Sequence, residues 1–216
     1  MTLHCAFIGF GKSTTRYHLP YVLHRKDRWQ VAHIYRRRAK PEEQAPQYSH
    51  IHFTSDLDEV LNDPLVKLVV VVCTHADSHF EYAKKALEAG KNVLVEKPFT
   101  PTLEEAKTLF ALANSKGLTV TPYQNRRFDS CFLTTKKVIE SGKLGELVEI
   151  ESHFDNYRPL AETNPGGPQN GEFYGLGVHT LDQIISLFGR KRTTRDRKST
   201  RLNSSHIQKS RMPSSA

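Results

Sequence analysis

The chain has 216 residues, 25% charged and 38% hydrophobic, which suits a water-soluble globular protein of one large or two small domains. No apolar run is long enough to span a bilayer, and Met1–Ile8 lacks the charged start and longer apolar core of a signal peptide; the cytoplasm is the expected location. The net charge of +8 invites a nucleic-acid partner, but nine basic residues from Arg190 onward face one acid, Asp196, so residues 1–189 are neutral and no nucleic-acid role is expected of them.

Leu3–Ile8 is a short apolar run that reads as a buried strand, and it empties into Gly9-Phe10-Gly11. Glycines there let the backbone turn tightly and approach a pyrophosphate, which the free N–H groups of the next helix can hold. Thr14 stands where the fingerprint G-x-G-x-x-G places its third small residue. Gly11-Lys12-Ser13 also mimics the end of a P-loop, but Ala6 occupies that motif's first glycine position, so the ATPase reading fails.

Lys12–Arg25 carries Tyr17, Val22 and Leu23 on a helical face interrupted by Pro20, and Trp29–Tyr35 is a second strand ending in Arg36-Arg37-Arg38. After a loop marked by Pro41 and Pro46, Ile51–Phe53 is a third strand, and a helix runs through Leu61 with Ser55 or Asp56 as cap. Lys67–Cys73 is apolar on both faces, as a central parallel strand covered by helices requires. A helix over Asp77–Ala89 stops at Gly90, and Asn92–Val95 is the fifth strand. Thr102–Lys116 is a helix opened by the capping box Thr102-x-x-Glu105 and stopped by Gly117, and Leu118–Thr121 is the sixth strand. Six strands alternating with helices predict an α/β fold, a doubly wound parallel sheet over residues 1–122.

Beyond Pro122 the texture changes. Phe128–Ser141 reads as an amphipathic helix, Leu147–Tyr157 as a half-solvated strand, Pro159–Gly171 as a loop and Tyr174–Phe188 as a helix. These make residues 123–189 only the start of a second α/β domain, because one strand cannot complete a sheet. Residues 190–216 have no apolar periodicity and are expected to be disordered. Asp196–His206 and Arg211–Ala216 also resemble translated sequencing-adapter DNA, which puts the expected end of the natural frame near Gly189. Cys5, Cys73 and Cys131, odd in number and widely spaced, are expected to be reduced and buried.

Three places carry candidate chemistry. His75 and His79 have the spacing of two metal ligands on a helix face, but Ala76 replaces the general base and no third ligand follows, so no metal is expected. Strand two ends in Tyr35 and three arginines, where an NAD enzyme carries an acid. Guanidinium forks pair with a 2′-phosphate, so NADP(H) is favoured over NAD(H), against the plainer reading of a solvated charge run. Glu96-Lys97-Pro98 follows strand five at the edge where open α/β sheets bind ligands. There Lys97 can exchange a proton with a substrate hydroxyl; the rival reading is a surface ion pair with Glu96 or Glu104.

In order, Gly9-Phe10-Gly11, Thr74 to His79, Glu96-Lys97-Pro98, Gln124-Asn125-Arg126-Arg127-Phe128 and Gly177-Val178-His179-Thr180-Leu181-Asp182 resemble the Gfo/Idh/MocA oxidoreductase family. The likeness runs from the N-terminus to about Gly189. It implies a Rossmann domain followed by an α/β domain with a large open sheet. The implied reaction is hydride transfer between NADP or NAD and a sugar, inositol or related polyol. Carried over residue by residue, it implies cofactor contacts from Gly9, Phe10, Gly11, Lys12, Ser13, Arg36, Arg37, Thr74, His75, His79, Glu96, Lys97, Gln124 and Arg126. It assigns catalysis to Lys97 and His179, although a helical histidine such as His179 also has a plain core role.

Two departures stand out. Gly175 occupies a position where many members have an aspartate of the proton relay. Members are also much longer, and the absent part shapes the substrate pocket and mediates homo-oligomer contacts, so this chain is expected to be an inactive fragment. Two other classes compete: a catalytically silent binder that senses a dinucleotide or sugar and, ranked lower, a nucleic-acid binder acting through the basic tail.

Overall fold

The computed structural model describes residues 2–72, 76–153 and 173–193, with side chains as far as Gly189. The chain divides into two compact units, Met1–Tyr123 and Gln124–Ala216. In the first, six strands, β1 (Leu3–Ile8), β2 (Trp29–Tyr35), β3 (His52–Thr54), β4 (Val66–Val71), β5 (Asn92–Val95) and β6 (Val120–Pro122), form one parallel sheet. Their order is β3-β2-β1-β4-β5-β6, so the connections run one way from β1 and the other way from β4. That reversal opens a crevice at the carboxyl ends of β1 and β4, where doubly wound sheets take their ligands.

Alternation along the strands sorts the core into two layers. Ala6 and Ile8 of β1 join Val69, Val71, Val93 and Val95 against Ala83, Leu87, Leu109 and Ala113 of the helices. Cys5 and Phe7 face the other way, with Val31, Ile34 and Val70 against Leu19 and Tyr48. The helices are α1 (Leu19–His24), α2 (Leu57–Asn62), α3 (His79–Glu88) and α4 (Leu103–Ser115). Asp56 caps α2 through the Asp58 amide, and the Thr102/Glu105 capping box opens α4. Both signals are local, and both act where the residue pattern puts them.

The differences from expectation have local causes. The helix after β1 passes through a π turn, Thr14–His18, before α1. Pro20 has no N–H, and its ring would press on the Arg16 carbonyl in a regular helix; the wider turn removes both problems. β6 begins at Val120 rather than Leu118, because the Leu118 N–H is used on the Ala113 carbonyl to close α4 over Gly117, which lies at φ +64°. Helix α3 starts at His79 after a 3-10 turn, Ala76–Ser78.

In the second unit a 3-10 turn (Asn125–Phe128) precedes α5 (Ser130–Glu140), and a π turn (Phe173–Gly177) leads into α6 (Val178–Thr193), broken at Gly189. The strand expected from Leu147 is absent over its described part. Residues 147–153 have no regular secondary structure and no ladder partners among the described residues, and Val148 is 96% exposed. Alternation alone does not make a strand; a hydrogen-bonded neighbour does. Cys5 is buried as expected, and burial pushes its thiol up to about 12. Cys131 is not: it is exposed on the first turn of α5, which buries Phe132 instead. Residues 190–193, expected to be disordered with the rest of 190–216, are instead helical, at the end of α6 beyond its break at Gly189. Cys73, the expected loop at 159–171 and residues 194–216 lie outside the described residues.

Leu87 is fully buried between α3 and the sheet. Leu87→Ala should lower the unfolding free energy by about 2–5 kcal/mol, measured by urea denaturation followed by circular dichroism.

Candidate functional site: a glycine turn facing a basic rim

The carboxyl end of β1 runs straight into the glycine turn. Gly9 sits at φ +117°, a conformation that favours glycine, and its N–H bonds the Tyr35 carbonyl at 2.9 Å. Thr14, fully buried, donates its hydroxyl to the Gly9 carbonyl at 2.8 Å. The residue that departs from the glycine fingerprint therefore closes the turn with a side-chain hydrogen bond. Above it lies an open cleft of about 1010 Å³. Ile8–Gly11 line one part, Tyr35–Arg38 and Lys40 another, and Asp77, Ser78, Glu81, Tyr82 and Lys85 the remainder. A turn of this shape, with no side chain on its glycines, fits a diphosphate, and the basic rim fits a further phosphate.

The three arginines are not equivalent. Arg36 donates from Nε and Nη2 to the two oxygens of Glu43, at 2.8 and 3.1 Å, and Glu43 is buried. Expected as a free phosphate fork, Arg36 thus has two of its nitrogens committed to a carboxylate. Arg37 and Arg38 are exposed on the same cleft. Lys40 reaches over the turn, donating Nζ to the Phe10 carbonyl and lying 5.9 Å from the Phe10 ring centroid.

Glu96, at the carboxyl end of β5, is also buried. It accepts from Ser13 Oγ at 2.6 Å, from His18 Nε2 at 3.0 Å and from the Lys97 N–H at 3.0 Å. Because an ionised carboxylate has no proton to give, the hydrogen rests on His18 Nε2. Burial alone would raise the Glu96 pKa, but the hydrogen bonds from His18 and Ser13 outweigh it and hold the carboxyl below its ordinary range. The His18 ring stacks near Tyr123, with centroids 4.4 Å apart. The Tyr123 phenol is pushed up by its own burial and then by the Glu96 charge. His79, also buried, bonds the Pro98 carbonyl through Nδ1 at 2.8 Å, which steadies the Glu96–Pro98 loop and its cis Lys97–Pro98 peptide.

In the second unit Arg127 grips Asp182 of α6 with two bonds of 2.6 Å, and Gln183 donates to the Arg126 carbonyl at 2.9 Å. His179 is buried one turn before Asp182. Arg126 itself donates to Asp129 at 2.8 Å. The Gln124 Oε1 atom is buried and has no hydrogen-bond donor among the described residues. A Cβ added to Gly177 would sit 2.9 Å from Phe173, whereas one added to Gly175 would meet none of the described residues within 4 Å.

Of the expected cofactor residues, the structure gathers Gly9, Phe10, Gly11, Arg36 and Arg37 on one cleft. Ser13 and Glu96 are bonded to each other, His79 holds the Pro98 loop, and Lys12 is exposed outside the cleft lining. Lys97 follows β5, half-buried. Thr74 and His75 lie outside the described residues. Sequence reasoning missed His18, Lys40 and Glu43. The only hint of Lys40 and Glu43 was their nearness to the arginine run, and His18 gave no signal.

Comparison with known proteins places these features in a family. The profile of an oxidoreductase family with an NAD-binding Rossmann fold matches residues 3–124, and that of its C-terminal alpha/beta domain matches residues 136–211. The uncharacterized oxidoreductase YhhX of Escherichia coli is 86% identical over 190 residues, covering 88% of this chain and 55% of that protein. A crystal structure of a probable oxidoreductase yhhX superposes with a TM-score of 0.84 at 86% identity, with 88% and 55% of the two chains covered. The scyllo-inositol 2-dehydrogenase (NADP(+)) IolW of Bacillus subtilis is 35% identical, over 87% of this chain and 52% of that protein. The chain spans about half the length of the curated relatives it matches.

Glu96 ionises more readily folded than unfolded, so it stabilises the fold above the ordinary glutamate value of 4.5. That contribution is lost as the pH falls through the lower folded value. Glu96→Gln should therefore be less stable than the parent at neutral pH and show a shallower loss of stability between about pH 6 and about pH 3 in urea titrations.

Proposed function

The chain belongs to the Gfo/Idh/MocA oxidoreductase family, and from that premise we propose that it carries the cofactor half of an NADP(H)-dependent dehydrogenase or reductase of sugars, inositols or related polyols. The observation that carries the reading is the cleft at the sheet's reversal point, where Gly9–Gly11 meets Arg37, Arg38 and Lys40. A nicotinamide dinucleotide, when bound, supplies the hydride acceptor or donor. The glycine turn holds its diphosphate through backbone N–H groups, with no Cβ to keep the chain away. Arg37 and Arg38 take a 2′-phosphate, and the name of IolW, an NADP(+) enzyme, supports that preference. Gln124 is assigned to the cofactor as well, a role that rests on the family resemblance.

Lys97 is proposed to take the proton from the substrate hydroxyl on oxidation and to return it on reduction, at the oxygen of the carbon that would exchange hydride with a bound dinucleotide. The loop that presents it is held by Glu96 below and by His79 through Pro98. His179 is proposed as a second proton carrier, a role that rests on the family resemblance. In the complete protein the remaining sequence supplies the substrate pocket and the homo-oligomer contact. A catalytically silent sensor is the second reading, favoured by Gly175 in place of the relay aspartate. Dinucleotide binding without turnover over a polyol panel would select it.

In the complete protein, Lys97→Met should lower kcat about 100-fold or more with cofactor Kd unchanged, measured by steady-state kinetics and fluorescence titration. Replacing Arg37 and Arg38 with glutamine should raise KM for NADP about tenfold or more and leave KM for NAD within a factor of about two. Unchanged selectivity would remove the 2′-phosphate assignment.

A further inference from the structure

A buried carboxylate sits inside what is otherwise a basic rim. Glu43 lies on the 3-10 turn Pro41–Gln44 and is 8% exposed. Its Oε1 accepts from Arg36 Nε and from the Lys40 backbone N–H, both at 2.8 Å, and its Oε2 accepts from Arg36 Nη2 at 3.1 Å. One carboxylate therefore fixes two cations of the rim at once: it sets the plane of the Arg36 fork and the start of the Lys40 side chain. From that start Lys40 reaches the Phe10 carbonyl in the glycine turn.

On charge alone this acid opposes an anionic ligand, because it cancels Arg36 and repels a phosphate. Its geometry argues the opposite. A guanidinium held at Nε and one Nη keeps its remaining nitrogen in a fixed direction, and a lysine anchored at its own N–H loses less freedom on meeting a phosphate. We propose that Glu43 is a positioning residue for the 2′-phosphate of NADP(H), acting by orienting Arg36 and by anchoring Lys40 on the basic rim beside Arg37 and Arg38. The inference rests on the dinucleotide reading above, and it adds to that reading a residue whose charge has the wrong sign for direct contact.

The test is binding, with the full 216-residue chain titrated by NADPH and NADH fluorescence, and by 2′,5′-ADP against 5′-ADP as probes lacking the nicotinamide. Glu43→Gln removes the charge and keeps the shape. Positioning predicts NADPH and 2′,5′-ADP binding weakened about tenfold, with NADH and 5′-ADP within about twofold. Tighter NADPH binding in Glu43→Gln would overturn the proposal, since it would mean that the acid merely repels. Equal weakening of NADPH and NADH would overturn it too, as a general loss of structure. If Glu43→Gln melts early, Lys40→Met and Lys40→Arg decide: selective loss in the first and retention in the second support the proposal, and an unchanged NADPH affinity in Lys40→Met overturns it. A parent chain that binds neither dinucleotide would sink the underlying reading before any variant is compared, and a parent that binds NADH as tightly as NADPH would overturn the 2′-phosphate assignment.

Discussion

The first unit hangs on one ionised carboxylate beside the point where the strand order reverses. Glu96 leaves β5, yet its partners Ser13 and His18 belong to the segment after β1, with β4 between the two strands. A parallel sheet joins its strands by backbone ladders but leaves the connections at its carboxyl edge free to splay. The Glu96 bonds tie two of those connections together across the reversal. Burying a carboxylate is costly unless several donors meet it, and here two side chains and the Lys97 amide do so. The loop bearing Lys97 is thereby set relative to the glycine turn, and His79 fixes its far side through Pro98.

The same logic shapes the rim of the cleft. Basic side chains gathered at the end of β2 repel one another, and a pure cluster would splay into solvent. Glu43 neutralises one of them and binds the loop that carries Lys40, leaving Arg37, Arg38 and Lys40 at the rim. Asp77, Glu81 and Lys85 also line the cleft. The charges along it are therefore positive at the end of β2 and mixed among the residues from Asp77 to Lys85. Such an arrangement suits a ligand with phosphates at one side and a less charged body at the other.

In the second unit the family resemblance pointed to residues whose described roles are first of all architectural. Asp182 is gripped by Arg127, and a side chain at Gly177 would make the Phe173 ring shift, since Phe173 lies against the place of its Cβ. Gly175 is different, since a Cβ there meets none of the described residues within 4 Å. A glycine where the family resemblance implies an aspartate is thus not imposed by packing against the described residues.

The elements themselves were legible one by one. The apolar runs of β1, β2 and β5, the glycine turn and the Thr102/Glu105 capping box are written in residues a few positions apart, and short-range sterics and hydrogen bonding act on that scale. The reach of the reading ended where pairing partners are distant. Nothing near Leu147 announces that its alternation finds no ladder partner among the described residues, and nothing near His18 announces Glu96, 78 residues away. Even Arg36 and Glu43, only seven apart, could not be matched by spacing, because a strand end and a 3-10 turn follow no shared period. The order of residues alone determined a parallel, doubly wound sheet with a phosphate-sized turn after its first strand, since periodicity and glycine placement are local properties. Only the tertiary structure decided which charges are committed inside the protein and which face the cleft, because the partner of a buried charge is selected by proximity in space.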